Sequence, residues 1–177
     1  MNLQSNASTS AETISALQES HDRIRSMALI HEQLYNVPDL ASIDVAEYVE
    51  LLLQQLYNTH AKDDLVKVSN EVNHPPMDVE TGVPCGLILT ELIVNALKHA
   101  FPEGRCGTIH ASLNQLEDGR SQLCVQDVGV GFSGDTDPQQ STSLDLHLVR
   151  LLSDQLGTGI YFETHTGFRV VITFSTN

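Results

Sequence analysis

Positive charge is scarce in this chain. Nine Lys and Arg residues stand against 23 Asp and Glu in 177 residues, a formal net charge of -14. General nucleic-acid binding and attachment to an anionic membrane both need a basic surface, and this composition argues against each. A small anionic ligand is still compatible, if a cation or oriented backbone N–H groups neutralise it locally. Cysteine is nearly as sparse. Cys85, Cys106 and Cys124 are odd in number and widely spaced, which fits reduced, mostly buried thiols of a cytoplasmic protein rather than a disulfide framework. No Cys/His spacing resembles a zinc site. No apolar run reaches the length of a bilayer span, and the first residues lack a basic-then-apolar leader pattern. The expectation is a soluble protein with no membrane segment in this stretch. Internal repeats are absent.

A hydrophobic fraction of 41% is what remains to build with, enough for one packed domain plus an arm. Residues 1–10 are rich in Ser, Asn and Thr and read as a disordered tail. From Ala11 to about Tyr35, Ile14, Leu17, His21, Ile24, Met27 or Ala28 and His31 recur at three/four spacing, predicting a long amphipathic helix. This arm and its linker, "NVPDLAS", occupy 11–41. A domain over 42–177 follows. It opens with a helix from about Asp44, capped with Glu47, to His60. A strand over Leu65–Val72, a short extended piece at Met77–Glu80 and a helix over Thr81–Phe101, with Pro84 in its first turn, come next. A hairpin of Thr108–Asn114 and Ser121–Asp127 turns at Asp118-Gly119. A polar loop leads to a helix over Leu144–Leu156 and the strands Ile160–Thr164 and Phe168–Phe174. The order implies an α+β fold, helices layered on a mixed sheet.

Three segments carry chemistry. In "TELIVNALKHAF", Glu91, Asn95 and Lys98 fall at i, i+4 and i+7 with His99 beside them, a polar stripe on an otherwise apolar helix. Polar groups on a buried helix need partners. This stripe therefore marks a ligand, an internal ion network or a solvent face. Asn offers a neutral oxygen to Mg²⁺, Lys and His suit phosphate oxygens, and Glu can orient a hydroxyl or water. In "QDVGVGF", Asp127 ends a strand and can accept from an exocyclic amine, while Gly129 and Gly131 allow a tight, close-approaching backbone. The polar loop Ser133–Ser143 before a helix N-terminus fits a lid beside a phosphate-binding end, or an ordinary surface loop.

Taken in order, "ELIVNALKHAF", "DVGVG", the polar loop and "SLDLHLVRLL" resemble the ATP-binding domain of sensor histidine kinases, which are Bergerat-fold (GHKL) ATPases. The segments "RIRSMALIHEQLY", "IDVAEYVELLL" and "VPCGLILTELIVNALKHAFPEG" resemble one bacterial subfamily with a His-Arg-x-Lys-Asn-type acceptor motif. The likeness spans about Ala16 to Phe174. It implies a Bergerat ATP-binding fold, ATP and Mg²⁺ as ligands, Asn95 on the metal and Glu91 polarising the attacking group. Lys98 and His99 would meet phosphate, Asp127 the adenine amine, and Gly129 and Gly131 would shape the pocket and hinge the lid. Leu144, Asp145 and Leu146 would line it from the last helix. It also implies an acceptor-histidine helix and a response regulator as partners, and a homodimer in the intact kinase. The arm matches the second helix of the dimerisation hairpin, so the acceptor helix is expected outside this chain, with His21 and His31 structural.

Four positions depart from that pattern. Asp145 stands where Gly usually precedes the Leu opening the last helix. As an N-cap it would compete with phosphate for the same N–H groups. A carboxylate about 5 Å from a phosphate charge costs roughly 3 kcal/mol at an effective dielectric of 20, about a hundredfold in affinity. Thr90 replaces a common Asn, Phe168 a usual Thr after Gly167, and Val128 a frequent Asn. The competing expectation is a degenerate nucleotide-binding or protein-docking module whose phosphate site Asp145 seals. A Bergerat-fold serine kinase of the anti-sigma type fits the arm less well.

Overall fold

The structure, a computed structural model, describes residues 13–14, 16–18, 20–29, 32, 42–61, 65–131, 144–164 and 166–175. The expected lid, Ser133–Ser143, and His31 lie outside the described residues, as do residues 1–10.

Five strands form one sheet in the order β1-β2-β3-β5-β4, with β1 Val66–Asn73, β2 Gly107–Gln115, β3 Ser121–Asp127, β4 Ile160–Glu163 and β5 Phe168–Phe174. β1 runs parallel to β2 and every other pair is antiparallel. Period-two burial turns one face inward. Ile109, Ala111 and Leu113 of β2 pair with Asp127, Val125 and Leu123 of β3, which pair with Phe168, Val170 and Ile172 of β5. All but Phe168 are buried. Asp127 therefore occupies a core register that is otherwise apolar.

Helices cover that face. The arm helix α1 comprises residues 20–29, and the other described arm residues are helical too. α2 spans Val45–His60, its first N–H groups accepted by Asp44 as the capping pattern predicts. α3 runs Val79–Asn95, and α4 Leu144–Gln155. α3 is the central element. Ile88, Leu89 and Ile93 are essentially fully buried, each contributing about 1.5–3 kcal/mol of apolar burial. Val79–Ala100 is long and apolar enough to cross a bilayer, with mean hydropathy 1.3, unlike the expectation from the sequence that no run suffices. Here 72% of that window is buried as the core helix.

Two boundaries differ from expectation. Met77 forms only an isolated bridge with Ile43, and α3 starts at Val79 because Asp78 caps it, accepting from Thr81 N–H at 2.8 Å. Pro84 thus falls in the second turn, where it cannot donate to Glu80 C=O. At the other end the α-helix stops at Asn95, and Ala96–Ala100 continue as a π-helical turn.

Gly86 lets α2 approach α3: a Cβ there would lie 1.7 Å from the Tyr48 hydroxyl. Burial pushes the Tyr48 phenol well above its ordinary range. Its hydroxyl reaches the Ser26 hydroxyl of α1 at 3.2 Å. Asp22 Oδ2 meets His60 Nε2 at 2.6 Å, both side chains buried. The arm thus docks through its polar face. Its apolar stripe, Ile14, Leu17, Ile24 and Met27, is exposed, as is His21. Cys85 and Cys124 are buried free thiols and Cys106 is exposed. Burial raises the Cys85 thiol to about 12.

Candidate functional site

α3 is apolar on most of its surface because it lies between the sheet and the other helices, and Glu91 sits in that buried stretch with only 5% of its surface exposed. A carboxylate so placed needs a counter-charge. Arg23 of α1 supplies it. The Arg23 Nε bonds to Glu91 Oε1, and one terminal guanidinium nitrogen reaches Oε2 at 2.8 Å. That same nitrogen lies 3.8 Å from Oδ1 of Asp145, in the first turn of α4. Three elements separate in sequence thus converge on one guanidinium.

The other end of α3 meets the Asp127 turn. The Val130 N–H donates to Ala100 C=O at 2.9 Å. A Cβ on Gly129 would lie 2.3 Å from the Ala100 carbonyl oxygen, so only glycine permits that approach. Gly131 has φ 77° and Gly167 φ 88°, and a Cβ on Gly167 would meet the Asp127 carbonyl oxygen at 2.0 Å. Asp127 is buried. Its Oδ1 accepts from the Gly129 N–H at 2.9 Å and the Phe168 N–H at 3.4 Å. Burial raises its carboxyl above the usual range, against the lowering pull of those two N–H groups. Both hydrogen bonds enter Oδ1, which leaves Oδ2 able to accept from a ligand amine.

Between these ends lies Asn95, half-buried at the last α-helical position. Glu91 and Asn95 are roughly 6 Å apart along the axis at a rise of about 1.5 Å per residue, and the π turn carries the chain on to Ala100. The stripe expected from a uniform helical period does not continue past Asn95. Bonding from i to i+5 winds the chain less per residue, so Lys98 rotates off the line of Glu91 and Asn95. Lys98 lines a pocket of about 140 Å³ with Leu97, Phe101, Glu103 and Arg105. His99 is exposed. Leu146 is buried in the core and Leu144 opens α4. A larger open hollow of about 520 Å³, between α2 and the β1 edge, contains none of the residues singled out from the sequence.

Among those residues, then, Glu91 and Asp145 are brought together through Arg23, and Asp127, Gly129 and Gly131 are gathered at the Ala100 end. Arg23 was not singled out from the sequence. Its sequence signal is slight: it is one of nine Lys and Arg residues and falls off the side of the arm that carries Ile14, Leu17 and Ile24. Phe168, expected only as a departure, gives its N–H to Asp127 and stacks on Phe162, ring centroids 5.8 Å apart.

Comparison with known proteins adds five findings. A family model described as "Histidine kinase" matches residues 1–60. One described as "Histidine kinase-, DNA gyrase B-, and HSP90-like ATPase" matches residues 82–177, more than half of the chain. Among curated relatives, the sensor histidine kinase PdtaS of Mycolicibacterium smegmatis is 28% identical over 157 residues, 86% of this chain and 30% of its own length. PdtaS of Mycobacterium tuberculosis is 27% identical over 154 residues, again 86% and 30%. The chain thus spans under a third of these relatives. Among solved structures, the histidine kinase domain of the Erythrobacter litoralis EL346 blue-light-activated histidine kinase superposes with a TM-score of 0.80 at 22% identity. That match covers 89% of this chain and 75% of that one, a likeness of fold.

Proposed function

The chain belongs to the histidine kinase-, DNA gyrase B- and HSP90-like ATPase family, and on that premise we propose that it is the ATP-binding catalytic domain of a bacterial sensor histidine kinase, transferring the γ-phosphoryl of Mg-ATP to a histidine on a separate helix. The observation that carries this reading is the buried Asp127 beside Gly129. Both its backbone hydrogen bonds enter Oδ1, so Oδ2 suits an adenine amine at the end of the helix that holds Glu91 and Asn95. A cytoplasmic location, a response regulator as downstream partner and a homodimer in the intact kinase complete the reading.

Each residue has a task within it. Asp127 accepts from the adenine amine, and Gly129 and Gly131 let the backbone approach the base. Leu146, with the first turn of α4, borders the pocket. Asn95 offers an amide oxygen to Mg²⁺, with phosphate oxygens and waters completing the shell. That division fits the donors present, since no group of three or more His, Cys, Asp or Glu that could cage an ion exists among the described residues. The ion's contribution when bound is neutralisation of phosphate charge. Lys98 and His99 would reach phosphate oxygens from the π turn and not from the Glu91–Asn95 line, and Glu91 orients the attacking imidazole. The chemistry is positioning and charge neutralisation with no covalent help from the pocket.

Mg-ATP should therefore raise the melting temperature of the chain. A ligand at a hundred times its Kd stabilises by about 2.7 kcal/mol. A separately supplied acceptor-helix peptide should then acquire acid-labile phosphohistidine. No shift at millimolar Mg-ATP would remove the reading. One observation favours a second: the Asp145 carboxylate in the first turn of α4. If it seals the phosphate site, the wild type shows no shift and Asp145→Gly gains one.

A further inference from the structure

Glu91 and Asp145 face the same guanidinium, yet they belong to different helices and would both crowd the phosphate end of a nucleotide. A triphosphate adds further negative charge to two carboxylates, in a chain that is already strongly acidic. Unless a cation is shared among them, Coulomb repulsion works against binding there. Arg23 is such a cation. It holds Glu91 in a two-pronged pair and stands 3.8 Å from Asp145. Its backbone is set by neighbours on either side of it on the same helical face: Asp22 on His60, and Ser26 on Tyr48.

We propose that Arg23 is a positioning residue of the nucleotide site, contributed by the arm: it fixes the Glu91 carboxylate and offsets the charge of Asp145, so that docking of the arm completes the phosphate end. This rests on the reading of the domain as a nucleotide binder. It revises the cost expected of Asp145, because a carboxylate that shares a counter-ion repels a phosphate less than a bare one. It also gives the arm a role in substrate affinity beyond connecting two parts of a kinase. Arginine suits the position better than lysine, since its planar fork can meet a carboxylate at two points while a third group shares its charge.

The test is a cycle of Mg-ATP affinities, measured by calorimetry on the whole chain, for wild type, Arg23→Ala, Asp145→Gly and the double variant. Arg23→Ala should weaken binding about tenfold, a screened fraction of what one unit charge about 6 Å away exerts at an effective dielectric of about 20. Asp145→Gly should change the wild type by less than about threefold. In the Arg23→Ala background it should recover most of the loss. Arg23→Lys should fall between wild type and Arg23→Ala. A role confined to holding the arm in place would lower thermal stability without any such dependence on Asp145. Should Arg23→Ala fail to fold, Arg23→Gln and Arg23→Lys carry the same cycle. Affinity unchanged or improved on removing Arg23, or no rescue by Asp145→Gly, overturns the proposal while leaving the nucleotide reading intact. Absence of Mg-ATP binding by the wild type overturns both.

Discussion

Asp127 separates two jobs that one side chain usually combines. Its Oδ1 ties the β3 end to the Gly129 and Phe168 N–H groups, a task an amide oxygen performs equally well. Its negative charge does not help the fold, because burial holds the carboxyl above its usual range. An acid whose native pKa is raised keeps its proton longer in the native state. The stability this confers is complete below the unfolded pKa and is lost as pH rises through the native one. Asp127→Asn should therefore be at least as stable as wild type at pH 7, with the advantage vanishing below about pH 4, near the unperturbed carboxylate range. Comparative thermal melts across that range check it. The same variant should lose Mg-ATP affinity by roughly 10- to 100-fold, because Oδ2 becomes an NH₂ group facing the ligand's amine and a hydrogen bond to a charged acceptor is worth about 1.5–3 kcal/mol. Asp127 could be singled out in the sequence as an acid at a strand end before alternate glycines, a pattern shared by many strand-to-loop turns; its burial beside Gly129 could not. Nor was it legible that Phe168 contributes its N–H, since a backbone donor leaves no trace in residue type.

At the scale of elements, hydrophobic periodicity placed the helices and strands within a few residues, and the Asp44 cap was written in its spacing to Glu47. Two features escaped it. "ALKHA" contains ordinary helix formers, so nothing in residue type distinguishes the π turn that carries Lys98 off the stripe. The polar inner face of α1 escaped as well, because a stripe of Ile14, Leu17, Ile24 and Met27 draws attention to the side that faces outward. Contacts between α1, α2 and α3 form a chain: Gly86 admits Tyr48, Tyr48 meets Ser26, and Asp22 meets His60. Gly86→Ala should cost about 1–3 kcal/mol, since its methyl would overlap a phenol that is fully packed. Chemical denaturation measures that loss. Asp22→Ala leaves the buried His60 ring without its acceptor. Leaving a buried hydrogen-bonding group unsatisfied costs about 1–3 kcal/mol. Amide exchange in residues 20–29 should then accelerate by roughly 5- to 100-fold, with β2 and β3 protection nearly unchanged. Uniform acceleration across the sheet would mean instead that the arm and the domain unfold together.

For the molecule as a whole, charge sets long-range and short-range forces against each other. With a net charge of -14, the protein repels a nucleotide across the solvent, and in the proposed reading attraction is left to a handful of local groups: Lys98, Arg23, backbone N–H groups and a bound cation. Composition made the repulsion legible at once. It could not reveal the local offset, which depends on residues 23, 91 and 145 meeting in three dimensions. The two ranges respond differently to salt. Screening lengths fall from about 30 Å at 0.01 M to about 8 Å at 0.15 M ionic strength, which removes most of the repulsion felt during approach and little of a contact made within a partly buried site. The association rate of Mg-ATP should therefore rise a few fold over that range, opposite to the behaviour of a protein that steers its anion with a basic surface. Dissociation should change less. Stopped-flow binding of a fluorescent ATP analogue at fixed Mg²⁺ distinguishes the two: an association rate that falls as salt is added would mean that the mouth of the site is locally positive, whatever the net charge of the chain.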